Sequence, residues 1–144
     1  MRTPFDAALR ALQIEMDELV AAIADTARRR AEAERRHAAL VRLVTHERGL
    51  SASEWTLPQT IWLDRSRIEI DTLIHRQDAI DIELSALREQ AIEQQASLRA
   101  LEEAAARWIE EAARARDRAE QVQLDDLVAA RMVAHGRAAR REPA

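Results

Sequence analysis

Apolar residues recur along the first third of this chain at alternating intervals of three and four. From Thr3 to about Arg48 they fall at Leu9, Leu12, Met16, Leu19, Ile23, Leu40 and Val44. The gap in the middle is filled, at the same spacing, by Thr26, Arg30, Ala33 and His37. This is the seven-residue repeat of a helix that pairs with another helix, with its a and d positions on one face. A longer repeat begins near Thr56. Its a positions are Leu63, Ile70, Gln77, Leu84, Ala91, Leu98, Ala105, Ala112 and Ala119. Its d positions are Ser66, Leu73, Ile80, Leu87, Gln94, Leu101, Trp108, Ala115 and Val122. A helix with one apolar stripe is not stable alone in water, so each repeat needs a partner, and the nearest candidate is the other.

Between the repeats lies GLSASEWTLPQTIW, residues 49–62, which holds one of the two glycines and two of the three tryptophans. Gly49 suits the end of a helix in the left-handed conformation. Ser51 with Glu54, and Thr56 with Gln59, have the spacing of capping boxes. Pro58 is tolerated in a first turn, where the early N–H groups have no acceptor within the helix. Thr3 and Pro4 suit the cap and first position of the first helix. The expected fold is all-α, an antiparallel two-helix coiled-coil hairpin. It comprises a helix over 3–48, a turn over 49–56, a longer helix over 57–135 and a flexible tail over 136–144 after Gly136. Two glycines and three prolines leave little with which to build sheet turns. Aromatics at 3% make a thin core, which suits elongated helices better than a compact globule.

A fold-back near Ser53 sets Arg30 and Gln77 at nearly equal distance from the turn. They either meet in one buried polar layer that fixes register, or are tolerated at a solvated seam. Asp25 with Arg29, and Glu32 with Arg36, are favourable pairs one turn apart. The helices differ in length, about 45 against about 80 residues, or ~68 and ~120 Å. On this register the N-terminus meets the second helix near Leu101, and Ala105 to about His135 overhang. That overhang carries Trp108, Val122, Leu124, Leu127, Val128, Met132 and Val133. It either frays or pairs with another molecule.

Charge adds mainly exclusions. All 22 basic residues are arginine, interspersed with 26 acids for a net charge of −4, which counts against a nucleic-acid role. There is no cysteine, hence no disulfide and no thiolate site. No apolar run approaches the ~20 residues of a bilayer span, and the N-terminus becomes acidic too early for a secretory signal. A cytoplasmic protein is expected. None of His37, His46, His75 and His135 has a second His or a Cys three or four residues on, the spacing that puts two such ligands on one helix face. Ser51, Ser53 and Ser66 read as capping or surface serines, and no glycine-rich loop offers itself to phosphate. No catalytic residue, metal, cofactor or small-molecule ligand is expected, and the chain is read as not an enzyme.

One pattern stands above this background. With Leu63 and Ile70 at a, the residues Ile61, Ile68, His75 and Ile82 all fall at f, opposite the seam, with Ile74 beside them at e. Isoleucines in register on a solvent face suggest a partner-binding surface. The alternatives are self-association, or cover by the turn segment with Trp55 and Leu57, although Ile82 is about three turns too far for the turn to reach. Trp55 and Trp62 are either binding anchors or plugs at the end of the hairpin.

Residues 116–131, RDRAEQVQLDDLVAAR, resemble the C-terminal part of the FliJ family, the stalk proteins of flagellar and related type III export. In that family the late helix carries Glu-Gln, a short gap, an acidic pair and a basic residue, which Glu120, Gln121, Asp125, Asp126 and Arg131 match. Asp126 stands where glutamate is usual, and Val122 where lysine is usual. Length and helix order match over the whole chain, the motif over about sixteen residues. The resemblance implies an antiparallel hairpin that inserts its paired termini into the hexameric export ATPase. It also implies contact with the export gate and with export chaperones, placing the chain at the cytoplasmic face of the inner membrane through partners alone. The alternative function is a structural coiled-coil protein that assembles with itself through the overhang. A regulator that enters a polymerase channel carries acids at its tip, where this chain has Glu54 alone.

Overall fold

The computed structural model describes residues 2–49 and 57–142. Two α-helices account for nearly all of them: α1, Asp6–Arg48, and α2, Leu57–Arg141. There is no strand among the described residues. The fold is the expected all-α two-helix hairpin, with the second helix the longer at 85 residues against 43. No helix among the described residues is long and apolar enough to cross a membrane.

The start of α1 is built as the sequence suggests, three residues late. Thr3 and Pro4 form a preliminary turn in which the Asp6 N–H donates to the Thr3 carbonyl, before the α-helical bonds begin with Leu9 N–H to Phe5. The Asp6 carboxylate accepts the Thr3 hydroxyl and, at 3.1 Å, the Thr3 backbone N–H. These two bonds, the hydroxyl's foremost, hold the Asp6 carboxyl below its ordinary 3.8. At the far end the Gly49 N–H is shared between the carbonyls of Thr45 and His46, each at 3.1 Å. The expected left-handed glycine is not found: Gly49 has no positive φ. The shared bond tightens the last turn without it. Residues 50–56 lie outside the described residues, and with them the capping boxes at Ser51 and Thr56 and the expectations for Trp55.

The expected end of the second helix at His135 and the flexible tail are corrected. Helix α2 runs through Gly136 to Arg141. One glycine costs a helix ~1 kcal/mol relative to alanine, and here Ala134, Arg137, Ala138, Ala139, Arg140 and Arg141 around it all favour the helix.

The chain divides into two compact units, residues 11–98 and residues 1–10 with 99–144. In the first, α1 and α2 run antiparallel. Gln94 donates to Glu15 at 2.7 Å, Arg29 to Glu83 at 2.8 Å and Arg36 to Glu69 at 2.9 Å, so positions rise on one helix as they fall on the other. Every a and d position from Leu63 to Leu98 is buried or half-buried, as is the α1 series from Leu12 to Val44. Ala33, Leu40 and Leu73 form a buried cluster on which Ile70 packs.

The register differs from expectation by one turn, and Arg30 and Gln77 do not share a polar layer. Gln77 donates to the Ala33 carbonyl at 3.4 Å. Arg30 forks instead between Asp81 at 2.5 Å and Glu34 at 2.8 Å, and these carboxylates, Asp81 foremost, raise its pKa. Arg36 likewise reaches across to Glu69. Along the described helices α1 lies about one turn further toward the C-terminal end of α2 than expected.

In the second unit, Phe5, Leu9, Leu101, Ala104, Trp108 and Ala112 are half-buried and Ala105 is buried. Burial was expected to cease at Ala105; it continues to Ala112. From residue 113 to 142 every described residue is exposed.

Neighbouring isoleucines give a direct test of the seam. Ile80 is 4% exposed and Ile82 is 72% exposed. Ile80→Ala lowers unfolding free energy by ~2–4 kcal/mol, and Ile82→Ala changes it by no more than about 0.5 kcal/mol. Urea denaturation followed by circular dichroism measures both.

Candidate interaction surfaces

Two surfaces carry the residues that the sequence singles out, one in each unit. In the unit of residues 11–98, the heptad phase that sends Leu63, Leu73 and Ile80 into the seam sends Ile61, Ile68, His75 and Ile82 to the opposite side of α2. All four are exposed, Ile68 at 68%. Members seven residues apart stand about 10.5 Å apart along the helix. They form a row that an extended or helical partner covers more readily than a small ligand does.

Ile74 belongs elsewhere. It lies on the edge of the seam and lines an open groove with Val41, Val44, Ile70, Arg67 and Asp71. Its company is the apolar edge of α1, so it is a bridge between the outer row and the hairpin interior. Trp62, 36% exposed, lines a groove with Glu47, Pro58 and Gln59. That is the position of a plug across the two helices near the connection.

The row has a charged border that the sequence reading passes over. Asp64, Asp71 and Asp78 recur at seven-residue spacing one position from the f row, and all three are exposed. His75 sits within this border. Its Nδ1–H donates to the Asp71 carbonyl at 2.8 Å, and the Asp71 carboxylate lies 3.9 Å away. The carbonyl bond first, then the charges of Asp71 and Asp78, hold the imidazole above its ordinary 6.5.

In the other unit, Glu120, Gln121, Asp125, Asp126 and Arg131 are all exposed on continuous helix. They do not share one face. At 100° per residue, Glu120 and Arg131 fall together, Gln121 and Asp125 on a second side, and Asp126 on a third. Gln121 donates to Asp125 at 3.0 Å. Val122, Leu124, Leu127, Val128, Met132 and Val133 are each more than half exposed.

These apolar residues do not simply prolong the hairpin seam. Continued past Val122, the a and d positions bring Asp126, Ala129, Val133 and Gly136. Leu124, Leu127 and Val128, at f, b and c, lie on the opposite side of the helix, Met132 at g flanks the seam, and Val122 and Val133 stay on it. A second apolar face thus appears beside what remains of the first. The signal was legible in the heptad count but hidden while the overhang was read as one list of apolar residues.

Among the described residues no group of acids and histidines is arranged to hold a metal ion. The grooves are open; one is bounded by Glu15, Glu18, Glu93, Gln90, Gln94 and Ser97, and within it the Glu15 carboxylate takes the Gln94 amide. Comparison with family models, characterised proteins and solved structures finds no match.

The His75 environment makes a signed pH prediction. Its raised pKa adds stability that is fully present below the ordinary 6.5 and lost as pH rises through the folded value. In an NMR titration the His75 imidazole has a midpoint above 6.5, and Asp71→Asn moves that midpoint down by removing one of the two carboxylates.

Proposed function

We propose that this chain is the stalk component of a bacterial flagellar or related type III protein export apparatus, a cytoplasmic protein that reaches the inner membrane only through its partners. Residues 113–142 enter the hexameric export ATPase. The row Ile61, Ile68, His75 and Ile82, with Ile74 at its edge, meets the export gate or an export chaperone. The reading rests on the sequence motif, and one observation carries it furthest. Glu120, Gln121, Asp125, Asp126 and Arg131 lie on a fully exposed helical stretch and are distributed around its circumference. A helix held inside a ring is surrounded, so contact residues on three sides suit a ring lumen where they would not suit a flat partner. The acid-bordered isoleucine row supports a second, separate contact, with a partner segment whose apolar side chains are flanked by basic ones.

The experiment is a pull-down and turnover assay with a purified export ATPase hexamer. The chain binds and raises ATP turnover. Combined substitution of Glu120, Gln121 and Asp125 by alanine weakens binding at least ~10-fold, whereas Ile68→Asp with Ile82→Asp leaves it intact and abolishes gate binding. ATPase binding equal to wild type in the triple variant sinks the assignment.

A further inference from the structure

The exposed stretch 113–142 has an internal symmetry that the stalk reading does not use. Four of its apolar side chains, Leu124, Leu127, Val128 and Met132, form one face centred away from the seam that pairs α1 with α2, while Val122 and Val133 stay on the seam's side. Its charges are segregated about that face. From 117 to 126 there are Asp117, Glu120, Asp125 and Asp126 against Arg118 alone; from 131 to 141 there are Arg131, Arg137, Arg140 and Arg141 and no acid; Arg114 and Arg116 precede the first block and Glu142 follows the second. We propose that this stretch pairs with the same stretch of a second copy, antiparallel, about a two-fold axis at Val128.

The chemistry selects both the occupant and its direction. An axis at Val128 sets Leu124 against Met132 of the second copy and Val128 against itself. It sets Asp125 against Arg131, and Glu120 and Gln121 beside His135. Near the ends it pairs Arg114 with Glu142 but sets Arg116 against Arg140. The axis also lies at the middle of the exposed stretch, so nearly every residue from 113 to 142 finds a counterpart. A parallel pairing instead stacks acids on acids and arginines on arginines, which is destabilising. The interface is isologous, so it closes at two copies and does not propagate into a filament.

Its size predicts its strength. At 1.5 Å per residue the stretch is about 45 Å long. A paired helix offers about four of every seven residues, hence roughly seventeen per copy, where a standard stable interface uses roughly 20–30. The dimer is therefore weak, with Kd on the order of micromolar. The inference stands whether or not the chain binds an ATPase. If both hold, self-pairing covers Glu120, Gln121 and Asp125, and the free dimer is a closed form that the ring must open.

Sedimentation velocity of the full chain from ~1 to ~200 μM, a span that brackets a micromolar Kd, shows a mass rising from one chain to two. Asp125→Arg alone and Arg131→Glu alone each weaken the dimer at least ~10-fold, because each now faces its own like charge twice. An equimolar mixture of the two variants dimerises again. Orientation is read by cross-linking, since the chain has no cysteine of its own. Leu124→Cys mixed with a size-tagged Met132→Cys forms the mixed disulfide, and Leu124→Cys alone does not cross-link. All four positions are exposed, so the helix content by circular dichroism stays unchanged. A monomer at every concentration, no rescue on mixing, or Leu124→Cys cross-linking to itself as well as to Met132→Cys overturns the proposal. None of these readouts involves an ATPase, so they leave the export reading to its own test.

Discussion

The narrow seam between α1 and α2 is the constraint from which the rest follows. Its α1 side is made of small or polar residues over a long middle section, Thr26, Arg30, Ala33 and His37, and only the α2 side supplies bulk there. Thr26, Ile80 and Leu84 are all buried, Arg30 reaches Asp81 across the seam, and Ala33 packs with Leu40 and Leu73. Small against large keeps two helices close with few aromatic side chains. It also gives apolar packing a weak hold on sliding, because one alanine is much like another. Register is left to polar contacts across the seam, chiefly Arg30 on Asp81 and the Gln77 amide on the Ala33 carbonyl.

This division of labour frees the remaining surface of α2. A helix that spends one stripe on its partner has two-thirds of its circumference left. In residues 11–98 that circumference carries an apolar row with an acidic border. Beyond Ala112 the old stripe thins to Ala115, Ala119, Val122, Ala129 and Val133, broken by Asp126, and Leu124, Leu127 and Val128 add a second on the other side. A sequence under no pressure except to remain helical would have drifted toward uniform polarity there. The second stripe, with a block of acids followed by a block of arginines, is what the proposed pairing of two copies rests on.

The sequence made the elements and their facing sides legible because both are periodic properties, and a repeat sustained over many turns outweighs any single residue. Each a and d assignment from Leu63 to Ala112 corresponds to a buried or half-buried side chain. What failed was local. Register depends on how many residues the connection consumes, and periodicity says nothing about that; hence Gln77 meets Ala33 and not Arg30. The helix passes Gly136 because a lone glycine among alanines and arginines is a modest penalty, and Gly49 ends α1 without the left-handed turn that glycines often supply. The candidate surfaces divide in the same way. Exposure of Ile68 and Ile82 followed from the repeat. The groove that joins Ile74 to Val41 did not, since it exists only once two helices are aligned.

The cross-helix ion pairs have a direction: in all three, α1 gives the arginine, at 29, 30 and 36, and α2 gives the carboxylate, at 83, 81 and 69. Neither helix is therefore a good mate for its own duplicate along this stretch, but each is fully compatible with the opposite helix of any other molecule. Nothing in the contacts themselves distinguishes an intramolecular mate from a borrowed one. What enforces closure within one molecule is the short tether between Arg48 and Leu57, which keeps the two mates at a mutual concentration on the order of millimolar. The molecule's individuality thus resides in how few residues separate its helices, and a redesigned sequence there that carried the chain straight on would turn the same two helices into an exchanged pair with these contacts preserved.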